Sequence, residues 1–271
     1  MSEAPSPPPR RTGSGLSTLA KVLLFAVLPI VIALALVAVV LSSFVFSGTD
    51  IRRTEQVEAR SEVLVTVDNA EVRVSPSPDD DVHVQMSGFH WGREPRLIAG
   101  VDGDRTLVDG GCRGGWFGIC RITITVSLPA DLPLVVEGNN GAISVEELTG
   151  PLTLGTNNGA ITISDSAGRI EARTSNGRIE IEDSSSTQVG ASTTNGRIDL
   201  NFDGAPITVD ARTTNGAVTI AVPVDGYEYR VDTGTVNGSV NDSEVPNDND
   251  SNRSIFVRTT NGGVTIEPSD N

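Results

Sequence analysis

Residues 152–181 read LTLGTNNGAITISDSAGRIEARTSNGRIEI and hold one pattern twice, with Asn158-Gly159 and Asn176-Gly177 set 18 residues apart. Around each Asn an apolar residue stands six positions before (Leu152, Ile170), three after (Ile161, Ile179) and five after (Ile163, Ile181), with Thr156 and Thr174 two before. On each side of the Asn-Gly every apolar position falls on one parity, the period of a half-buried strand. Each unit therefore reads as strand, Asn-Gly corner, strand, polar corner.

Outward from this stretch the pattern continues at Asn140-Gly141, Asn195-Gly196, Asn215-Gly216, Asn237-Gly238 and Asn261-Gly262, so that successive spacings are 18, 18, 19, 20, 22 and 24. Periods near 20 mark stacked repeats, none of which buries its apolar face alone. The other apolar positions are Leu134, Val189, Val209, Val231 and Ile255 before the corner, and Ile143, Ile198, Val218, Val240 and Val264 after it. Five positions after the corner stand Val145, Leu200, Ile220 and Ile266, with Asp242 as the exception. Thr recurs two positions before the Asn at Thr193, Thr213, Thr235 and Thr259 as well. Arg178, Glu180, Arg197 and Asp199 alternate with the apolar set and suit a solvated face.

A tight corner needs positive φ, where Gly is free of a Cβ clash and Asn is the most tolerant other residue. On that reading Gly→Ala at a corner costs about 1 kcal/mol or more. Asn-Gly between alternating strands also fits a meander of hairpins. A meander leaves the returning Thr unexplained, whereas stacked coils would let a Thr ladder share hydroxyl hydrogen bonds and methyl contacts, which favours a β-solenoid. The class expected is all-β, a β-helix-like solenoid of about seven short coils over residues 55–267, preceded by one transmembrane helix. Asn69, flanked by Val63, Val65, Val67, Val72 and Val74 but followed by Ala70, reads as a degenerate first coil. VHVQM (82–86) and ITITVSL (122–128) read as strands around an irregular stretch.

Upstream, residues 1–21 are rich in Pro, Gly, Ser and basic residues and read as a disordered tail. Val22–Leu41 is free of charge for twenty residues, about 30 Å of helix and the thickness of a bilayer core. Residues 22–46 are the expected anchor, 47–54 a linker and 268–271 a tail. A cleaved signal peptide has a shorter apolar region and a small-x-small site, and SSFVFSG (42–48) offers poor small residues at that spacing. Arg10, Arg11 and Lys21 place the N-terminus in the cytoplasm and the remainder outside. The lipid bilayer is then the first partner.

The chain carries 35 acidic against 20 basic residues; removing Glu3, Arg10, Arg11 and Lys21 leaves 34 against 17 beyond residue 46. Such acidity argues against nucleic acid, which requires a basic stripe. It also opposes adhesion to anionic polymers at low salt unless divalent cations bridge the two. Cys112 and Cys120 flank RGGWFGI and are read as a disulfide in an oxidising compartment. Trp116 and Phe117 between them suit a binding knob or a cap on the core.

Asp165, Asp183, Asp199, Asp203 and Asp210 are the carboxylates that a glycan-cleaving β-helix would draw on, a pair lying about 5–9 Å apart. Asp165 and Asp183 occupy equivalent polar corners, however, and Asp199 has solvent parity, so a solvated face explains them. Two His, two Cys and the absence of nucleophile or zinc motifs point away from catalysis. No cofactor is expected, although Asp79-Asp80-Asp81 and NDNDSN (247–252) are oxygen-rich loops of the kind that take Ca²⁺. His83 has outward parity and His90 stands beside Trp91.

ITVSLP (124–129) followed by T-x-N-G-x-I-x-I units resembles a bacterial domain-of-unknown-function family of adhesin-like surface proteins. The resemblance spans roughly residues 55–267 and implies a β-solenoid-like fold, an N-terminal membrane segment and a cell-surface role, without catalytic residues. The function expected is a non-catalytic adhesin or envelope-binding module, whose partners are envelope polymers or a membrane protein. The alternatives are an envelope-sensing accessory protein and a carbohydrate-active enzyme.

Overall fold

The computed structural model of the chain describes residues 26–45, 48–112 and 119–269. It divides into two compact units, Met1–Ser47 and Gly48–Asn271. In the first, α1 spans Leu28–Val45. Among the described residues no helix is long and apolar enough to cross a membrane. The eighteen residues of α1 rise about 27 Å, short of a bilayer core of about 30 Å. The start of the expected span, 22–25, lies outside the described residues, as does the tail 1–21.

The second unit is all-β. It opens with β1 (Thr49–Glu58), which takes up the segment expected as a linker. β2 (Glu62–Asp68), β3 (Glu71–Pro76), β4 (Asp81–Trp91), β5 (Arg96–Asp102), β6 (Arg105–Gly111) and β7 (Ile119–Leu128) follow. Then come β8 (Leu134–Gly138) with β9 (Ile143–Glu146), β10 (Leu152–Asn158) with β11 (Ile161–Ser164), and β12 (Ile170–Asn176) with β13 (Ile179–Ser184). After these, β14 (Gln188–Asn195) is followed by β15 (Ile198–Phe202), β16 (Thr208–Asn215) by β17 (Val218–Val222), β18 (Arg230–Asn237) by β19 (Val240–Asn241), and β20 (Ser254–Asn261) by β21 (Val264–Pro268), each two forming a couple.

In every such couple the first strand belongs to a ten-stranded sheet and the second to an eleven-stranded one. Equivalent strands lie parallel and in register, as in Ile143↔Ile161↔Ile179 and Leu134↔Leu152↔Ile170. Parallel pairing is what a coil produces and a hairpin cannot. The inward residues of both sheets, Ile161, Ile163, Ile170, Ile179 and Ile198 among them, form one apolar core at 0% exposure.

The stack departs from chain order at both ends. Along it the couples run β6/β7, β2/β3, β8/β9, on to β16/β17, then β20/β21 and last β18/β19. Among the described residues that makes nine coils rather than about seven, because β2/β3, with Asn69-Ala70, and β6/β7 are coils without an Asn-Gly corner. The C-terminal inversion has a clear energetic cause. β20/β21 turns Ile255, Val257, Val264 and Ile266 inward, whereas β18/β19 offers Thr233 and Asp242 at the matching positions. An interior place for that coil would bury a carboxylate among aliphatic side chains, at a cost of several kcal/mol. At the end of the stack Asp242 accepts a hydrogen bond from Thr233 Oγ1 at 2.7 Å.

Each end of the stack carries chain outside the coils. At one, β4 runs antiparallel between β1 and β7, and β5 lies antiparallel on β6. At the other, residues 242–253 fold along β18: Asn247 Oδ1 accepts from Val231 N at 3.2 Å, Asp248 N donates to the Tyr229 carbonyl, and Val245 is buried.

Candidate functional site

The predicted corner residues come together in a single line of hydrogen-bonded amides. Asn140 Nδ2 donates to Asn69 Oδ1, Asn158 to Asn140, Asn176 to Asn158, Asn195 to Asn176 and Asn215 to Asn195, all at 2.8–2.9 Å. Asn261 then donates to Asn215 and Asn237 to Asn261, following the inverted stack. At the far end Asn69 Nδ2 donates to the Cys112 carbonyl. Asn69, read as a degenerate corner, is thus a full member of the ladder.

The glycines serve a different purpose from the one expected. Of the seven corner glycines only Gly141 (φ 149°) and Gly262 (φ 158°) have positive φ. What all of them share is close stacking. A Cβ on Gly159 would stand 1.9 Å from the Gly141 carbonyl oxygen, and the same distance separates Gly177 from Gly159, Gly216 from Gly196 and Gly238 from Gly262. Gly196 stands in the same relation to Gly177. Glycine is there because backbone passes over backbone.

The threonines are likewise corrected. Each hydroxyl donates to a carbonyl of the next coil and not to another Thr: Thr156 to Gly141, Thr174 to Gly159, Thr193 to Gly177, Thr213 to Gly196, Thr259 to Gly216 and Thr235 to Gly262, at 2.9–3.3 Å. From Asn140 to Asn237 each corner is held to its neighbour by an amide, a backbone bond such as Gly159 N to Asn176 O, and a Thr hydroxyl.

At the β6/β7 coil a disulfide between Cys112 and Cys120, with Cα atoms 6.1 Å apart, stands where other coils have Asn-Gly. Trp116 and Phe117 lie outside the described residues. His90 faces Cys120 across the β4–β7 pair, and its Nδ1 is buried without a partner.

The carboxylates divide into structural and solvated groups. Glu147, Asp165 and Asp183, at φ 50–57°, take the left-handed position of the second corner, which Asp tolerates better than most residues. Glu180 and Asp199 face each other on β13 and β15 above a shallow groove of about 340 Å³. Arg178 lies between them, 3.1 Å from Glu180 and 2.8 Å from Asp199. Its hydrogen bond to Asp199 raises the guanidinium further above its ordinary value. A glycoside-cleaving pair needs one free acid and one free base or nucleophile, and this pair is bridged by a permanent cation. Asp210 binds Arg212 at 2.7 Å, and Asp203 follows β15 at the polar corner.

The oxygen-rich loops are engaged locally. Asp79 accepts from His83 Nε2, Asp81 N and Ser77 Oγ, and these hydrogen bonds, His83 first, hold its carboxyl below its ordinary value. The 247–252 segment belongs to the cap over β18. Among the described residues no group of three or more His, Cys, Asp or Glu is placed to hold a metal ion.

One feature escaped the sequence reading. Tyr227, Glu228, Asn252 and Arg253 line a pocket of about 450 Å³ at the polar corner near the C-terminal end. Its sequence trace is faint: DGYEY (225–229) and NDNDSN are the segments that lengthen the last two repeats.

Two facing, mainly parallel sheets tied by an amide ladder define an open β-repeat protein of the solenoid kind. The chain belongs to the Toastrack DUF4097 family, whose sequence profile matches residues 61–267. Among solved structures it is similar to a proposed cell adhesion protein from Clostridium sporogenes ATCC 15579, at 12% identity over 81% of this chain and 100% of that one, with a TM-score of 0.41. It is also similar to a proposed adhesin from Bacteroides fragilis NCTC 9343, at 14% identity over 80% and 97% of the two chains, with a TM-score of 0.43. No curated protein matches the sequence.

Proposed function

We propose that this chain is a non-catalytic, adhesin-like binding module of the bacterial cell surface. In this reading it is held in the cell membrane by a single helix around Val22–Leu41, with its N-terminus in the cytoplasm and the repeat unit outside. The observation that carries the reading is the unbroken corner ladder from Cys112 to Asn237. It fixes successive coils in register, so that outward side chains form flat arrays suited to an extended partner and not to a single reacting bond. The membrane family that the T-x-N-G-x-I-x-I units resemble points the same way. Its partners would be polymers of the cell envelope.

Co-sedimentation tests the reading. The detergent-solubilised full chain is mixed with isolated envelope polymers at matched ionic strength, with and without Ca²⁺. Saturable pelleting is expected. Because the unit is strongly acidic, pelleting with anionic polymers should need Ca²⁺ while pelleting with neutral ones should not. Failure to pellet under either condition sinks the proposal. Added protease that leaves the repeat unit intact on whole cells, yet digests it after lysis, would overturn the orientation.

A further inference from the structure

We propose that the pocket between the β17–β18 and β19–β20 connections is a carbohydrate subsite, seating a pyranose ring with neutral or amino substituents. It deepens the surface-binding reading above by naming one place and one ligand class.

The pocket is built rather than incidental. Beneath it Tyr229 is fully buried and its hydroxyl donates to the Pro223 carbonyl at 2.7 Å, fixing the loop that bears Tyr227. That loop turns at Gly226 (φ 79°), with Tyr227 N donating to the Val224 carbonyl. Arg253 lies over one face of the Tyr227 ring, its guanidinium 5.0 Å from the centroid, and its Nη1 donates to the carbonyls of Ala205 and Pro206 at 2.6 and 2.9 Å. Ser251 Oγ joins the two loops by donating to the Glu228 carbonyl at 2.7 Å.

On this frame Tyr227 is 39% exposed, in a chain that is only 4% aromatic. With one face held against Arg253, the ring offers its other face as a platform for the apolar C–H face of a sugar, with little entropy left to lose on binding. The Glu228 carboxylate and the Asn252 carboxamide line the same pocket and make no side-chain hydrogen bond among the described residues. Exposed planar groups that line a pocket beside an aromatic face can exchange water for ring hydroxyls, a few placed polar groups being what orients a small ligand. Asp225, Glu228, Asp248 and Asp250 outnumber Arg230 and Arg253 around the pocket, so its surroundings are acidic on balance. That electrostatic sign disfavours uronates and phosphorylated sugars, and favours neutral or aminated ones.

The test titrates the full chain in detergent micelles with β-1,4-linked trisaccharides of glucose, N-acetylglucosamine, glucosamine and galacturonate, read by calorimetry and saturation-transfer NMR. At least one of the first three should bind with a Kd of roughly 0.1–1 mM, and galacturonate about tenfold more weakly. Tyr227→Ala should weaken binding at least about tenfold, while Tyr227→Phe keeps the platform and stays within about threefold of the parent. Asn252→Ala, on an outer loop, should weaken binding about fivefold and serves if Tyr227→Ala does not fold. No saturable binding of any trisaccharide at about 10 mM overturns the proposal. So does unchanged affinity in both Tyr227→Ala and Asn252→Ala, or galacturonate binding as tightly as the rest. Pelleting with envelope polymers that survives Tyr227→Ala would remove this subsite and leave the surface-binding reading standing.

Discussion

At the corner, Gly177 shows how one missing atom sets the spacing between coils. Its backbone passes so close to the Gly159 carbonyl that a Cβ would stand 1.9 Å from that oxygen, and the obstacle is backbone, which cannot swing aside. Gly177→Ala should therefore cost about 1–3 kcal/mol as overpacking, more than a conformational penalty alone. Gly100→Ala, where a Cβ would meet nothing within 4 Å, should change stability by less than about 0.5 kcal/mol. Denaturant unfolding of the two variants decides it, and equal midpoints would refute the stacking account. Tyr229 carries a second prediction. Burial pushes the pKa of its hydroxyl up to about 12 from the ordinary value of 10.0. The folded state thus holds its proton at pH values where the unfolded chain has released it. The stabilisation is complete below pH 10 and is lost as pH rises towards 12. Unfolding midpoints measured between those limits should fall for the parent chain and fall less steeply for Tyr229→Phe. Parallel slopes would show that another group governs the alkaline limb.

Among the elements, β18/β19 explains why the stack does not simply follow the chain. Its apolar code is spoiled by Asp242, so the later couple β20/β21 takes the inner place and leaves the carboxylate at the rim. The same carboxylate keeps that rim unattractive to another open sheet edge. Asp242→Ile would restore the repeat code beside Val240, already 42% exposed, and make the end coil fit for stacking on a second copy. Sedimentation velocity should then show concentration-dependent association that the parent lacks; a variant sedimenting as the parent does would remove this role for Asp242. This element also marks the limit of what the sequence discloses. From Asn140 to Asn261 corner and parity coincide, so strands, corners and inward residues can be read directly except in β18/β19, where Val240 stays exposed. Stack order cannot, because it rests on comparing two burial costs. The β6/β7 coil is hidden because Cys112 and Cys120 replace its Asn-Gly. The Tyr227 pocket is hidden because its two loops lie about twenty-five residues apart and neither keeps the repeat pattern.

For the whole molecule the consequence is modularity. Each interior coil touches only its two neighbours, through the same amide and aliphatic positions and, from the Asn140 corner onward, the same Thr hydroxyl, so stability should behave as a sum of coil and interface contributions. Deleting residues 159–176 removes one complete coil and joins Asn158 to Gly177, which regenerates an Asn-Gly corner with Thr156 still two positions before it. Leu152 would then stack on Val189 as it now stacks on Ile170, and the amide of Asn195 would donate to Asn158 in place of Asn176. The shortened chain should fold with an unchanged β-sheet circular dichroism signature. It should unfold in one cooperative transition with a lower midpoint, and with a denaturant slope reduced by roughly a tenth, near the share of the repeat unit removed. Deleting residues 159–167 instead takes half a coil and would place a strand of one sheet where the other continues. That variant should not fold. If the half-coil deletion folds as well as the full one, the coils are not the units of this structure, and the ladder decorates a fold whose stability resides elsewhere.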